Sequence, residues 1–233
     1  FGNTAKESYD RMIKYVTIAE KKLSKYKNNI INRKKNIKKN NNFNHEIILP
    51  LIRKNLSTKN SDGTYTKWIF DIRVNQKILN YLDHSNLKIF TSKGTVTPDH
   101  VIRTKAKPLI LKIKNMEERN LDNFINKEIK KYKNNYKKYY LKNKKFFKNT
   151  IELDGNPRLI YIPKFGIVAI GRSKKEAIIA GDLAEATVEI ISKAESLGKF
   201  TSIPDKEIFK VEYWPLEQAK LKNATRAILT GNV

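Results

Sequence analysis

Nine consecutive residues, Thr97-Pro98-Asp99-His100-Val101-Ile102-Arg103-Thr104-Lys105, gather an imidazole, a carboxylate, a guanidinium, an ammonium and hydroxyls. A histidine beside an aspartate can relay a proton, and an arginine two residues from a lysine can hold a phosphate or a substrate hydroxyl. The candidate site residues are therefore His100 and Asp99 for proton transfer and Arg103, Lys105 and Thr97 for binding. The same stretch also reads as a helix start, with Thr97 as the N-cap, Pro98 at the first helical position and Asp99 favoured by the helix dipole.

The elements around the motif decide where it can sit. Leu87 to Phe90 reads as a strand followed by a turn at Ser92-Lys93-Gly94, which would deliver the motif to a strand end, where α/β folds tend to place chemistry. Trp68 to Val74 alternates as a half-buried strand, and Gln76 to Leu82 reads as a short helix after it. Arg158 to Pro163 and Gly166 to Ile170 are two adjacent strands rich in Ile, Val and Tyr. Pro108 to Ile113 is apolar but fits either state.

Four longer helices follow from periodicity. Ser8 to Leu23 places Tyr9, Met12, Ile13, Val16, Ala19 and Leu23 at three- and four-residue steps, predicting one buried stripe. Glu46 to Leu56 is a second amphipathic helix. Asn120 to Lys145 carries Leu121, Phe124, Ile125, Ile129, Tyr132, Tyr136 and Tyr139 on one side, a stripe that reads as buried aromatics on a basic helix. The last runs from a cap at Ser173 to a stop at Gly198. Lys25 to Asn44, rich in Lys and Asn, reads as a solvated linker.

Composition bounds the rest. The chain has 233 residues, 39% of them hydrophobic, and a formal net charge of +25. Of 48 basic residues nine are arginine, so 39 are lysine, spread along the chain with asparagine and isoleucine. This even spread reads as solvated surface, so nucleic acid is disfavoured as a partner. The absence of cysteine excludes disulfides, thiolate zinc sites and a cysteine nucleophile. The longest apolar stretch, Leu159 to Ile170, is interrupted by Pro163 and Lys164, so no membrane span is expected. His84 reads as a helix-end surface residue and His45 as inert.

The chain contains a short internal repeat. Gly2-Asn3-Thr4-Ala5-Lys6-Glu7 and Gly171-Arg172-Ser173-Lys174-Lys175-Glu176 share a glycine, a hydroxyl cap, a lysine and a glutamate at the same offsets, each opening a long helix. This suggests two related α/β halves.

Three segments carry a resemblance: Phe1 to Tyr9, Thr97 to Lys105, and Glu212-Tyr213-Trp214-Pro215-Leu216-Glu217-Gln218-Ala219-Lys220-Leu221. Together they resemble the bifunctional rhamnulose-1-phosphate aldolase/short-chain dehydrogenase family. The resemblance implies an α/β fold of the class II aldolase/adducin-like kind, layered α-β-α, in two related halves with the first truncated at its N-terminus. Residues 1–24 would be the last helix of the first half, 25–45 a linker, 46–200 the second half, and 201–233 a linker toward a Rossmann dehydrogenase domain, whose first strand Leu229 to Val233 resembles.

The resemblance also implies an enzyme that cleaves a ketose 1-phosphate to dihydroxyacetone phosphate and lactaldehyde and oxidises the aldehyde with NAD. The family's zinc-binding histidines would fall before Phe1, and Phe165 stands where the repeat would place a ligand imidazole, so no metal ligand is expected in this chain. A sugar-phosphate substrate, a homo-oligomer and a cytoplasmic location are the accompanying expectations, and the fragment alone should be inactive. Glu212, Tyr213 and Trp214 before Pro215 read as a packed hinge. The alternatives are a non-catalytic adducin-like interaction module and a basic nucleic-acid-binding domain.

Overall fold

The computed structural model describes residues 1–25, 45–113, 117–147 and 150–220. The Lys/Asn-rich segment beyond Lys25 and the Leu229 to Val233 stretch lie outside the described residues. The described helices are α1 (Ala5–Leu23), α2 (His45–Leu56), α3 (Gln76–Leu82), α4 (Leu87–Ser92), α5 (Val101–Thr104), α6 (Glu118–Asn143), α7 (Lys174–Leu197) and α8 (Asp205–Glu212). The strands are β1 (Ile69–Arg73), β2 (Leu109–Ile110), β3 (Leu159–Ile162) and β4 (Gly166–Gly171), joined in the order β1-β4-β3-β2. Strands β1 and β3 pair antiparallel with β4, and β2 runs parallel to β3.

Alternation along the central strands sorts side chains to two faces. Ile160, Ile162, Val168 and Ile170 pack with Ile48, Ile52 and Leu56 of α2 and Leu121, Ile125 and Ile129 of α6. Leu159, Tyr161, Ile167 and Ala169 pack on the opposite side with Ala180, Ala184, Val188 and Ile191 of α7 and with residues of α3 and α4. Both faces are covered, so β3 and β4 are buried along their whole length. The result is the layered α-β-α arrangement expected from sequence. Each of the buried Leu, Ile and Val side chains contributes about 1.5–3 kcal/mol.

Polar clamps fix the layers to each other. Arg73 on β1 bonds Asp71 and bridges to Asp182 (2.8 Å) and Glu185 (2.9 Å) of α7. Trp68 donates its indole N–H to the Leu56 carbonyl (3.1 Å), while the Arg158 and Arg172 guanidinium groups lie over its ring.

Two expectations are corrected. Leu87 to Phe90 is not a strand but the start of α4: Leu87, Phe90 and Thr91 are buried at helical spacing, and Thr91 bonds back to the Leu87 carbonyl. A four-residue apolar run fits either state, and packing onto the α7 face selects the helix. The second correction concerns α1. It forms, with the cap from Thr4 to the Glu7 N–H (3.1 Å), yet none of its residues is buried. Tyr9 is 60% exposed and Met12 53%. Its apolar period is real, but no described element lies against it.

The repeat is visible as matching local geometry. The backbone N–H of Asn3 bonds the Glu7 carboxylate and that of Arg172 bonds the Glu176 carboxylate, while Thr4 and Ser173 cap the next turn. A β-carbon on Gly2 would stand 2.6 Å from the Ser8 nitrogen, and one on Gly171 2.4 Å from the Ala177 nitrogen. Only glycine allows the incoming chain to lie this close to the helix it opens.

Candidate functional site at the Lys105 and Glu212 pair

The nine-residue motif folds as the helix start that one of its readings anticipates, although the Thr97 side chain makes no cap hydrogen bond. Pro98–His100 is a single 3-10 turn with Thr97 at its N-cap, and α5 continues from it. The motif ends at Lys105, whose backbone has φ 62° and ψ 167°. A residue with a β-carbon adopts that conformation at a cost on the order of 1–3 kcal/mol. The surrounding packing must hold it there.

Packing of α8 against the 3-10 turn and α5 does so. Lys105 Nζ lies 3.1 Å from Glu212 Oε1 at the end of α8, and the two side chains are 7% and 1% exposed. The ammonium also stands over the Tyr136 ring, 3.9 Å from its centre. Burial lowers the Lys105 pKa, and Arg158 adds to this, while Glu212 and Asp154 oppose it.

Glu212 is the centre of a tyrosine network from α6. Tyr136 Oη donates to Glu212 Oε1 (2.8 Å), so the 2.9 Å contact between the Tyr136 and Tyr213 hydroxyls requires Tyr213 to donate. The Leu153 N–H in turn donates to Tyr213 Oη (3.3 Å). Burial raises the Tyr136, Tyr139 and Tyr132 phenols, with the Glu212 charge adding to the effect, and Tyr213 is pushed up to about 12, chiefly by burial. All four remain protonated donors at neutral pH. Glu212 Oε2 is buried without a hydrogen bond among the described residues.

A cavity of about 450 Å³ opens beside this network, between α4, the segment from Lys105 to Pro108, α6 and the start of α8. Its wall includes Lys105, Tyr132, Tyr136 and Tyr139, with Lys88 and Lys107 also lining it. Lys107 pairs with Asp205 (3.3 Å).

The five residues singled out in the motif separate in space. Lys105 enters the cavity wall. Thr97 and Asp99 interact with each other on the outer turn, and this hydrogen bond lowers the Asp99 pKa. His100 is partly buried, and its Nδ1 has no hydrogen-bond partner among the described residues. Arg103 is half-buried on α5 and forms no ion pair among the described residues. Sequence reasoning assigned Glu212 and Tyr213 to a packed hinge and Tyr136 and Tyr139 to buried packing. The signal that could have joined them was the co-occurrence of the Thr97 and Glu212 motifs in one resemblance.

Residues 44–221 match the family described as aldolase class II, second domain. The chain belongs to that family. It is also 30% identical over 155 residues to the "Uncharacterized oxidoreductase YuxG" of Bacillus subtilis (strain 168), a match covering 62% of this chain and 22% of that protein. The chain thus spans less than a quarter of that relative's length. No solved structure matches it.

The second-domain description agrees with the placement of the two long motifs. Both fall inside the matched region, and in the folded domain they meet at the Lys105 and Glu212 pair. The described residues do not fit a zinc site: no group of three His, Asp or Glu side chains among them is placed to hold a metal ion. Phe165, at the repeat's ligand position, is a buried phenyl stacked on His45 with 4.2 Å between ring centres. Among the described residues no helix is long and apolar enough to cross a membrane.

Proposed function

We propose that this chain is part of a bifunctional enzyme whose aldolase portion cleaves a ketose 1-phosphate of the rhamnulose type to dihydroxyacetone phosphate and lactaldehyde. A following NAD-dependent short-chain dehydrogenase would oxidise the aldehyde. The observation that carries this reading is the convergence of the two resemblance motifs, Thr97 to Lys105 and Glu212 to Leu221, into one packed unit joined by the Lys105 and Glu212 ion pair. Membership of the class II aldolase second-domain family supports the lyase part, and the oxidoreductase name of the Bacillus relative supports the fusion.

In this reading residues 46–200 form the second aldolase-like half, residues 1–24 the closing helix of the first, and residues 201–233 the lead into the dehydrogenase. In the intact enzyme of this reading a zinc ion would supply carbonyl polarisation, held by histidines that are not among the described residues. The chain's own residues act on the substrate periphery. Arg103, unpaired on α5, and Thr97 meet the phosphate or a hydroxyl, and His100 with Asp99 orients or passes a proton. The protein is proposed to work as a cytoplasmic homo-oligomer on a sugar phosphate.

The test is cleavage by the intact native protein, followed as dihydroxyacetone phosphate release from rhamnulose 1-phosphate. Chelator-sensitive release is expected, and Arg103→Ala should raise KM about tenfold or more while the fold is retained. No release from any ketose 1-phosphate would overturn the aldolase reading. One observation favours the adducin-like alternative, namely the uncovered apolar face of α1. A stable complex made through α1 by a protein without cleavage activity would decide for it.

A further inference from the structure

Lys105 is set apart from the other described lysines by two observations. Its side chain is buried in the wall of the 450 Å³ cavity, and its counter-ion keeps one oxygen, Glu212 Oε2, without a hydrogen-bond partner among the described residues. An ion pair serving only to fill the core would satisfy both carboxylate oxygens, since an unmet buried acceptor is destabilising. Tyr136, donating to Glu212 Oε1 and receiving from Tyr213, supplies proton carriers on the same side as the amine.

We propose that Lys105 is a nucleophilic amine that forms a covalent imine with a small aldehyde or ketone entering this cavity. The Nζ ammonium first passes a proton to Glu212 Oε1, 3.1 Å away. The freed lone pair attacks the carbonyl carbon, so that the C–N bond forms, the C=O π bond breaks, and the surplus proton on nitrogen moves to oxygen to give a carbinolamine. Glu212 then returns its proton to the hydroxyl, water leaves, and the nitrogen lone pair closes the C=N bond. The sum is ammonium plus carbonyl to protonated imine plus water, with Glu212 regenerated and no change of oxidation state.

The environment raises the share of neutral amine available for attack. Burial and Arg158 lower the Lys105 pKa against the opposing charges of Glu212 and Asp154, with protonated Tyr136 and Tyr213 completing the surroundings. The other described lysines are mostly on the solvated surface. The proposal does not use zinc and stands apart from the ketose-phosphate reading, so the failure of either leaves the other testable.

The experiment uses the full, unaltered chain. It is incubated near neutral pH with glycolaldehyde, and separately with dihydroxyacetone, in the presence of sodium cyanoborohydride, and the reduced adducts are located by peptide mass spectrometry. Lys105 is expected to be labelled at least about tenfold faster than the median lysine. Lys105→Arg should abolish that adduct and leave the others unchanged. Labelling spread over the exposed lysines with Lys105 spared, in the unaltered chain, would overturn the proposal and mark the pair as structural.

Discussion

Lys105 and Glu212 set the energetic terms at the scale of single residues. Two opposite charges in a dry site are tolerated only together, so removing one leaves the other uncompensated. Glu212→Leu is expected to destabilise the domain by about 3–5 kcal/mol in urea unfolding, whereas Lys105→Met combined with Glu212→Leu should recover most of that loss. A double variant as unstable as the sum of the single ones would show that the two residues act independently. Asp154 supplies the pH dependence. Burial opposes its ionisation, but Arg158 at 2.8 Å and the Asn156 N–H overcome that and hold its pKa below the ordinary value of 3.8. A carboxylate depressed in the folded state contributes stability that is present above its unfolded pKa and is lost as pH falls through the folded one. Acid titration of the unfolding free energy should therefore show this contribution intact above about pH 4 and fading below it, and Asp154→Asn should remove that acid-limb component.

At the scale of elements, the repeated capping motif shows one local design in two contexts. The Ser173 cap sits on α7, which covers the sheet, so Ser173→Ala should cost about 1 kcal/mol of global stability. The matching change Thr4→Ala should leave global unfolding unchanged and only speed hydrogen exchange at the start of α1, because α1 buries nothing among the described residues. Gly171→Ala should be worse than the cap loss, since its β-carbon would meet the Ala177 nitrogen at 2.4 Å. Equal global costs for the Thr4 and Ser173 changes would mean that α1 is packed in solution. The helices α1, α2, α6 and α7 were legible because their apolar residues recur at helical spacing over at least two turns, and α3 as a short helix following β1. The Leu87 to Phe90 run was too short for its period to be told, and only its burial against α7 made it a helix.

For the whole molecule, the described layers close around β3 and β4 without help from α1. Removal of residues 1–24 should therefore shift the melting temperature by no more than about 2 °C, measured by circular dichroism. A larger drop would show that α1 closes on the domain. The sequence by itself determined the α/β class, the strands β1, β3 and β4, the long helices, the two matching caps and the residues carrying the family resemblance. Those features are short-range: periodicity, side-chain hydrogen bonds to nearby backbone and glycine sterics all act within a few residues. Only the tertiary structure decided which motif residues share a site. Lys105 and Glu212 are more than a hundred residues apart, and no local pattern states that α8 will lay its last carboxylate beside the residue that ends α5. It likewise decided that Tyr136, one of several tyrosines on a basic helix, joins that pair, because burial and geometry, which spacing does not encode, turn a packing residue into a proton donor.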